Sequence, residues 1–240
     1  MKKLSMYVVT HKKLNYVPKG RTLIYVGEYN RVLDSLNDSN GDNISSKNKN
    51  YSELTAIYWI WKNDRNSDYV CIEHYRRFFM GKLLRPISQK KLMKILRKYD
   101  GVQMKKIKHK TSLKENYRQH HIESDLDCVE KAIEKLYPEY LTVYDEIINQ
   151  NYASMCNMIV LSKEDFNNYC EWLFNILFFV EKRINIETRD NYQSRVFGFL
   201  SERLQNVWIT YNNLNMKELP IYFHEKNKIK SLLKSIKHMY

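Results

Sequence analysis

Glu73-His74-Tyr75-Arg76-Arg77 stands directly after a short apolar run at 69–72 and combines a carboxylate, an imidazole and two guanidinium groups. A fold seldom needs two adjacent arginines and a histidine at the end of a buried strand. A site that holds a phosphate or a sugar does. Arginine suits an anion because its planar fork donates to two oxygens at once and keeps its proton. The same residues have a plainer use, since arginines paired with internal carboxylates imitate such sites. Acid–base chemistry needs a carboxylate or histidine at the reacting atom, and Glu73, Asp125, Asp190 and Glu202 are the candidates.

Other polar candidates sit at the ends of apolar runs. Thr10, His11 and Lys12 close the run at 6–10, Asp42 and Asn43 follow Gly41 in a polar turn, and Asn157 opens the run at 156–161. Arg195 and Glu202 share a helical neighbourhood. Each has an ordinary structural use: Asp and Asn favour turns by bonding to their own backbone, and Glu–Arg pairs on helices are commonly structural. Asp125-Leu126-Asp127 is the obvious Asp-x-Asp triplet, but it follows polar residues rather than an apolar strand. Helix capping accounts for its carboxylates, so no metal site is assigned. His121 and Asp125 are four residues apart, a spacing that suits an acid–base or acceptor-binding pair if the helix starts early.

The elements that would position these groups alternate. Strands are expected at 6–10, 22–26, 69–72, 101–104 and 156–161, and helices over 51–62, 89–99, 124–136, 163–184 and 192–208. In the first helix Tyr51, Leu54, Tyr58 and Trp61 have core-facing spacing. The alternation predicts an α/β fold with a mostly parallel central sheet flanked by helices. Such a sheet binds its ligand beyond the carboxyl ends of the strands, where Thr10, His11, Lys12, His74, Arg76 and Arg77 would meet. One domain is expected over 1–225, followed by a basic amphipathic tail over 226–240. In the tail Ile229, Leu232, Leu233 and Ile236 form one stripe, with Lys228, Lys230, Lys234 and Lys237 around it. A helix of this kind suits an anionic membrane surface, and a terminal helix packed on the domain is the plain alternative.

Composition narrows the partner. With 43% hydrophobic and 28% charged residues the chain is globular rather than disordered. A net charge of +13 points to an anionic partner, although a Lys- and Asn-rich composition also follows from an AT-rich genome. No nucleic-acid motif accompanies the charge, so nucleic acid is not the expected partner. Cys71, Cys128, Cys156 and Cys170 lack CxxC pairing and read as free thiols of a reducing cytoplasm. The N-terminal apolar run is too short for a signal peptide, and no run reaches transmembrane length.

Ordered short motifs then add a resemblance. They run from Thr10-His11-Lys12 through Gly41-Asp42-Asn43-Ile44-Ser45, Glu53-Leu54-Thr55 and Tyr58-Trp59-Ile60-Trp61-Lys62-Asn63 to His74-Tyr75-Arg76-Arg77. His121 with Asp125-Leu126, Asn157-Met158, residues 169–174 and residues 195–204 complete the pattern. The chain resembles a family of bacterial capsular and exopolysaccharide biosynthesis proteins, long catalogued as a domain of unknown function and regarded as GT-A-like glycosyltransferases. The resemblance implies a cytoplasmic enzyme, peripheral on the inner face of the plasma membrane, that moves a sugar from a UDP-sugar to a lipid-linked or growing polysaccharide acceptor. Galactofuranose and galactose are the sugars it suggests. In many GT-A enzymes the strand corresponding to 69–72 ends in a metal-binding Asp-x-Asp. Here that place reads Glu73-His74-Tyr75-Arg76-Arg77, so cationic side chains are expected to take over part of the metal's role, with no metal required. The donor residues would be Thr10, His11, Lys12, Asp42, Asn43, His74, Arg76 and Arg77. The acceptor residues would be His121, Asn157 and Arg195, and the catalytic carboxylates Glu202, Glu73 and Asp125. A non-catalytic basic module docking on polysaccharide machinery or anionic membrane is the alternative.

Overall fold

Residues 2–27, 35–225 and 227–237 are described by a computed structural model. Short runs that are apolar on both faces become strands covered by helices above and below. The elements are β1 (Leu4–Thr10), β2 (Thr22–Tyr25), α1 (Asn48–Tyr51), α2 (Leu54–Asn63), β3 (Tyr69–His74), β4 (Arg77–Phe79), α3 (Gln89–Ile95) and β5 (Gly101–Met104). They continue with β6 (Ile107–Lys108), α4 (Leu113–His120), α5 (Ser124–Leu136), α6 (Leu141–Asn149), β7 (Tyr152–Ala153), β8 (Ile159–Ser162) and α7 (Lys163–Glu181). The chain closes with α8 (Val196–Tyr211), β9 (Met216–Leu219), β10 (Ile221–Phe223) and α9 (Lys228–Lys237). Along β2-β1-β3-β8-β5-β9 every strand points the same way except β8, which runs antiparallel to β3 and β5. β4 folds back from the end of β3 and pairs with β10. The chain adopts the expected α/β architecture, a mostly parallel central sheet flanked by helices.

Strand side chains alternate between faces. Tyr7, Val9, Val70, Ile72, Ile159 and Leu161 enter the core under α1, α2 and α4 to α8. Leu4, Met6, Cys71, Val102 and Val160 enter the smaller core under α3. This parity separates two neighbours at the end of β3. Glu73 continues the Cys71 side, whereas His74 continues the side of Val70 and Ile72. Close strand contact also fixes Gly101, where a Cβ would stand 2.4 Å from the Val160 carbonyl oxygen.

Local hydrogen bonding moves several boundaries. The helix expected over 51–62 is two helices, because Asn48 Nδ2 donates to the Ser52 carbonyl at 2.8 Å and to Thr55 Oγ1 at 2.9 Å. Ser52 itself takes φ 51°. α2 then buries Leu54, Ala56, Ile57 and Ile60. Tyr58 and Trp61 are only half-buried and pack on Phe174 of α7. The strand expected from 156 starts at Ile159, since Cys156 and Asn157 take φ 85° and 49°. β9 and β10 return the chain after α8 to the sheet, beside β5 and β4 respectively. The tail forms α9, packed on β10, while Lys226 and residues 238–240 lie outside the described residues. Among the described residues no helix is long and apolar enough to cross a membrane. The four cysteines are free.

Candidate active site

A cleft of about 680 Å³ opens where Thr10 ends β1 and His74 ends β3. Because β8 runs against its neighbours, its entrance lies at this same end of the sheet. That entrance is Cys156-Asn157, two adjacent L-residues in the left-handed region, a conformation that persists only where the surroundings enforce it. The enforcement is visible. Cys156 N–H donates to Glu202 Oε1 at 3.1 Å. Asn157 Nδ2 donates to Glu53 Oε1 at 2.8 Å and to the Gly198 carbonyl at 3.2 Å, and its Oδ1 accepts from Ser201 Oγ at 2.9 Å. One strained turn therefore ties α8 to the start of α2 and orients two carboxylates that line the cleft, Glu53 and Glu202.

Glu202 carries a carboxyl shifted from its ordinary range. Its side chain is 21% exposed. Burial pushes its carboxyl up to about 7; Arg203 pulls the other way and the Glu53 charge adds to the rise. The Arg203 guanidinium stands 3.9 Å from Glu202 Oε2, too far to hold the carboxylate ionised by a close bond. A carboxyl that titrates near neutrality is matched to general-base work.

Above the carboxylates the cleft is cationic. Arg76, Arg77 and Arg195 are exposed on its wall. The Arg76 guanidinium lies 5.3 Å from the centre of the Tyr75 ring and Lys12 Nζ 4.6 Å from it. His11 meets the same ring edge-on at 4.9 Å. Arg195 Nε donates to Ser52 Oγ at 3.2 Å. Thr10 Oγ1 donates to the Lys12 carbonyl at 2.6 Å and so shapes the turn that presents His11 and Lys12. Burial, then the charges of Lys12, Arg195 and Arg76, holds the His11 imidazole low. His74 is held low chiefly by burial, with Glu53 working against that. Both rings are thus neutral at pH 7, and the positive charge is carried by the arginines and lysines.

The cleft carboxylates already hold protein partners. Hard cations take several oxygen ligands, but Glu53 is tied to Asn157, Glu202 to Cys156 N–H and Glu225 to Lys234. Among the described residues no three His, Cys, Asp or Glu side chains stand together as a metal site.

Several expected site residues are engaged elsewhere. Glu73, expected as a catalytic carboxylate, is fully buried in a two-bond pair with Arg21, at 2.7 and 3.2 Å, and accepts Phe79 N–H at 2.8 Å. Strand parity turns it away from the cleft. Asp125 is likewise buried, held by Arg189 at 2.6 and 2.7 Å and by Tyr117 OH at 3.2 Å. Its oxygens are therefore not paired with His121. That ring stacks on Phe199 at 4.1 Å, and burial, with Arg203, pushes it down to about 4. Asp42 and Asn43 build a turn: Tyr58 OH donates to Asp42 Oδ1 at 3.2 Å, and Asn43 Oδ1 accepts from Ser45 N–H at 3.1 Å. None of these five lines the cleft, and neither does Lys12, expected among the donor residues, whose ammonium lies over the Tyr75 ring. Asn157, expected as an acceptor residue, does not line the cleft either but hydrogen-bonds Glu53, which does.

Glu53, Ser52, Glu225 and Lys234 line the cleft without having been assigned to it from sequence. Glu53 carried a signal inside its motif, but a carboxylate near a helix start is explained equally well by the helix dipole. Glu225 and Lys234 carried none, because their place depends on β10 pairing with β4.

No curated protein matches the chain. It is similar to a solved structure, the apo form of the bifunctional glycosyltransferase WbbM, at 29% identity and a TM-score of 0.82. The similarity covers 94% of this chain and 46% of that one, so the chain spans about half the length of WbbM. The fold is that of a glycosyltransferase. The family match extends over residues 5–213, and the chain belongs to the family described as a domain of unknown function, DUF4422.

Proposed function

We propose that the chain is a glycosyltransferase that moves a sugar from a UDP-sugar to a lipid-linked or growing surface-polysaccharide acceptor. The observation that carries this reading is the pairing, in one cleft, of an arginine-rich wall with a carboxyl group raised to about 7. Cleavage of a nucleotide sugar leaves two new charges to manage. The bond between the anomeric carbon and the diphosphate breaks with its electron pair on the diphosphate, and the attacking acceptor hydroxyl must lose its proton. Arg76, Arg77 and Arg195 receive the first charge, as fixed cations beside a developing anion. Glu202 receives the proton, and burial, helped by the Glu53 charge, keeps that carboxyl basic. His11, which lines the cleft at the end of β1, holds the nucleoside. The cleft volume falls within the usual range for small-molecule sites, roughly 300–1,000 Å³. Galactofuranose and galactose remain the proposed sugars on the strength of the motif resemblance.

A thermal-shift screen of UDP, GDP, CDP and their sugars, followed by donor hydrolysis, tests the proposal. UDP and UDP-sugars should raise the melting temperature most, and UDP-galactofuranose or UDP-galactose should be hydrolysed. Absence of any nucleotide shift together with absence of hydrolysis would leave the basic binding module as the better reading.

A further inference from the structure

A terminal helix docked on a domain ordinarily turns its apolar stripe inward, and α9 does the reverse. Its buried side is made of serines. Ser231 Oγ accepts Glu225 N–H at 2.7 Å and donates to the Glu225 carbonyl at 3.2 Å. Ser235 Oγ accepts Phe223 N–H at 2.9 Å and donates to the Ser231 carbonyl at 2.7 Å. The helix is thereby pinned to β10 and to the segment just after it through two hydroxyls one turn apart. Its leucine side faces outward: Ile229 is 69% exposed, Leu233 62% and Leu232 42%, with Ile236 also exposed.

A second element repeats the arrangement. The turn Lys82–Leu84 adjoins α9 at the β4–β10 edge of the sheet. It holds Leu83 85% exposed at φ 60°, a left-handed conformation that branched side chains disfavour. Exposed cations flank both elements, Lys82 and Arg85 on the turn and Lys230 on the helix. Two local features of different origin thus present leucines to the outside on one edge, each beside positive charge.

We propose that α9 and the 82–84 turn form one docking surface for an anionic phospholipid bilayer. Ile229, Leu232, Leu233, Ile236 and Leu83 enter the boundary between headgroups and acyl chains, and Lys82, Arg85 and Lys230 meet the lipid phosphates. A second copy of the chain is a poorer occupant, because two such faces would bring like charges together on chains that each carry a net +13. The surface adjoins the cleft, since Lys234 of α9 pairs with Glu225 and both line it. The functional consequence, delivery of a membrane-held acceptor to the cleft, rests on the glycosyltransferase reading; the docking itself does not.

Vesicle flotation of the full chain tests the surface, using phosphatidylcholine alone and an equimolar mixture with phosphatidylglycerol. The wild type should float with the anionic mixture, less with phosphatidylcholine, and less again as salt rises. Leu232→Glu combined with Leu233→Glu should reduce anionic flotation by about tenfold or more, and Leu83→Ser should reduce it measurably. Because these side chains are exposed, melting temperature should be unchanged, and donor hydrolysis in solution should match the wild type. Wild-type flotation by both variants would overturn the proposal, as would a wild-type protein that stays unbound in every mixture. A wild-type dimer in sedimentation that the double variant dissolves, without vesicle binding, would overturn it in favour of self-association.

Discussion

Asn157 donates its side-chain amide to the Glu53 carboxylate at 2.8 Å, while the adjacent Cys156 holds Glu202 through its backbone N–H at 3.1 Å. Two consecutive residues with positive φ thus grip two of the cleft carboxylates, Glu53 and Glu202. Strain of this kind costs on the order of 1–3 kcal/mol per residue and persists where other contacts enforce it. Here the enforcing contacts are the carboxylates themselves, so their orientation and the turn geometry depend on each other.

Glu202→Gln should lower transfer by about 10²- to 10⁴-fold while the protein stays folded. In the wild type the rate should climb as pH rises through about 7, because a base works ionised, and that limb should vanish in the variant. Stability runs the other way. The folded value lies above the ordinary 4.5, so the stability contributed by protonated Glu202 is complete below about 4.5 and is lost as pH rises through about 7. Ionising it in place costs about 3 kcal/mol. Glu202→Gln should therefore melt higher than the wild type above about pH 7. Calorimetry and a pH–rate profile on the same two proteins check both halves.

Arg77→Lys and Arg195→Lys should each lower kcat/KM by on the order of tenfold to hundredfold. Lysine keeps the charge but loses the fork that meets two phosphate oxygens. Both arginines are exposed, so unfolding free energy should change by no more than about 0.5 kcal/mol. Wild-type turnover in both variants would remove the diphosphate from this wall.

The fold was largely legible because its strands are dense apolar runs and their alternation with helices has few solutions. The direction of Glu73 was legible in principle, since strand parity places it on the Cys71 side, opposite His74. Its partner was not, because Arg21 lies 52 residues away with no local signal. The partner of Asp125 was hidden for a related reason: the first turn of a helix offers an Asp a local use, and only packing brings Arg189 to it. Arg76, Arg77, Arg195 and Glu202 reach the cleft as expected. Glu53 needed the reversed direction of β8, which brings Asn157 to it and which no short-range pattern encodes.

Arg21→Met and Glu73→Leu should each destabilise by about 3–5 kcal/mol, since each strands a buried charge without its partner. The double substitution should recover much of that loss. Donor hydrolysis per folded molecule should stay near wild type throughout, because Glu73 faces away from the cleft. Denaturant unfolding with activity measured on the folded fraction separates a structural role from a catalytic one. Hydrolysis abolished in fully folded Glu73→Leu would return Glu73 to the chemistry.

Excess chelator should leave most of the transfer activity intact. A divalent metal in a nucleotide-sugar site offsets the diphosphate charge, and here Arg76 and Arg77 at the β3–β4 turn and Arg195 at the start of α8 line the cleft to do so. The carboxylates nearby are already engaged: Glu53 by the Asn157 amide, Glu202 by Cys156 N–H and Glu225 by Lys234. Activity measured in chelator, then after adding back manganese or magnesium, decides the point. Complete loss restored by manganese would show that a metal is required, with Glu53 and Glu202 as the ligands to test by substitution.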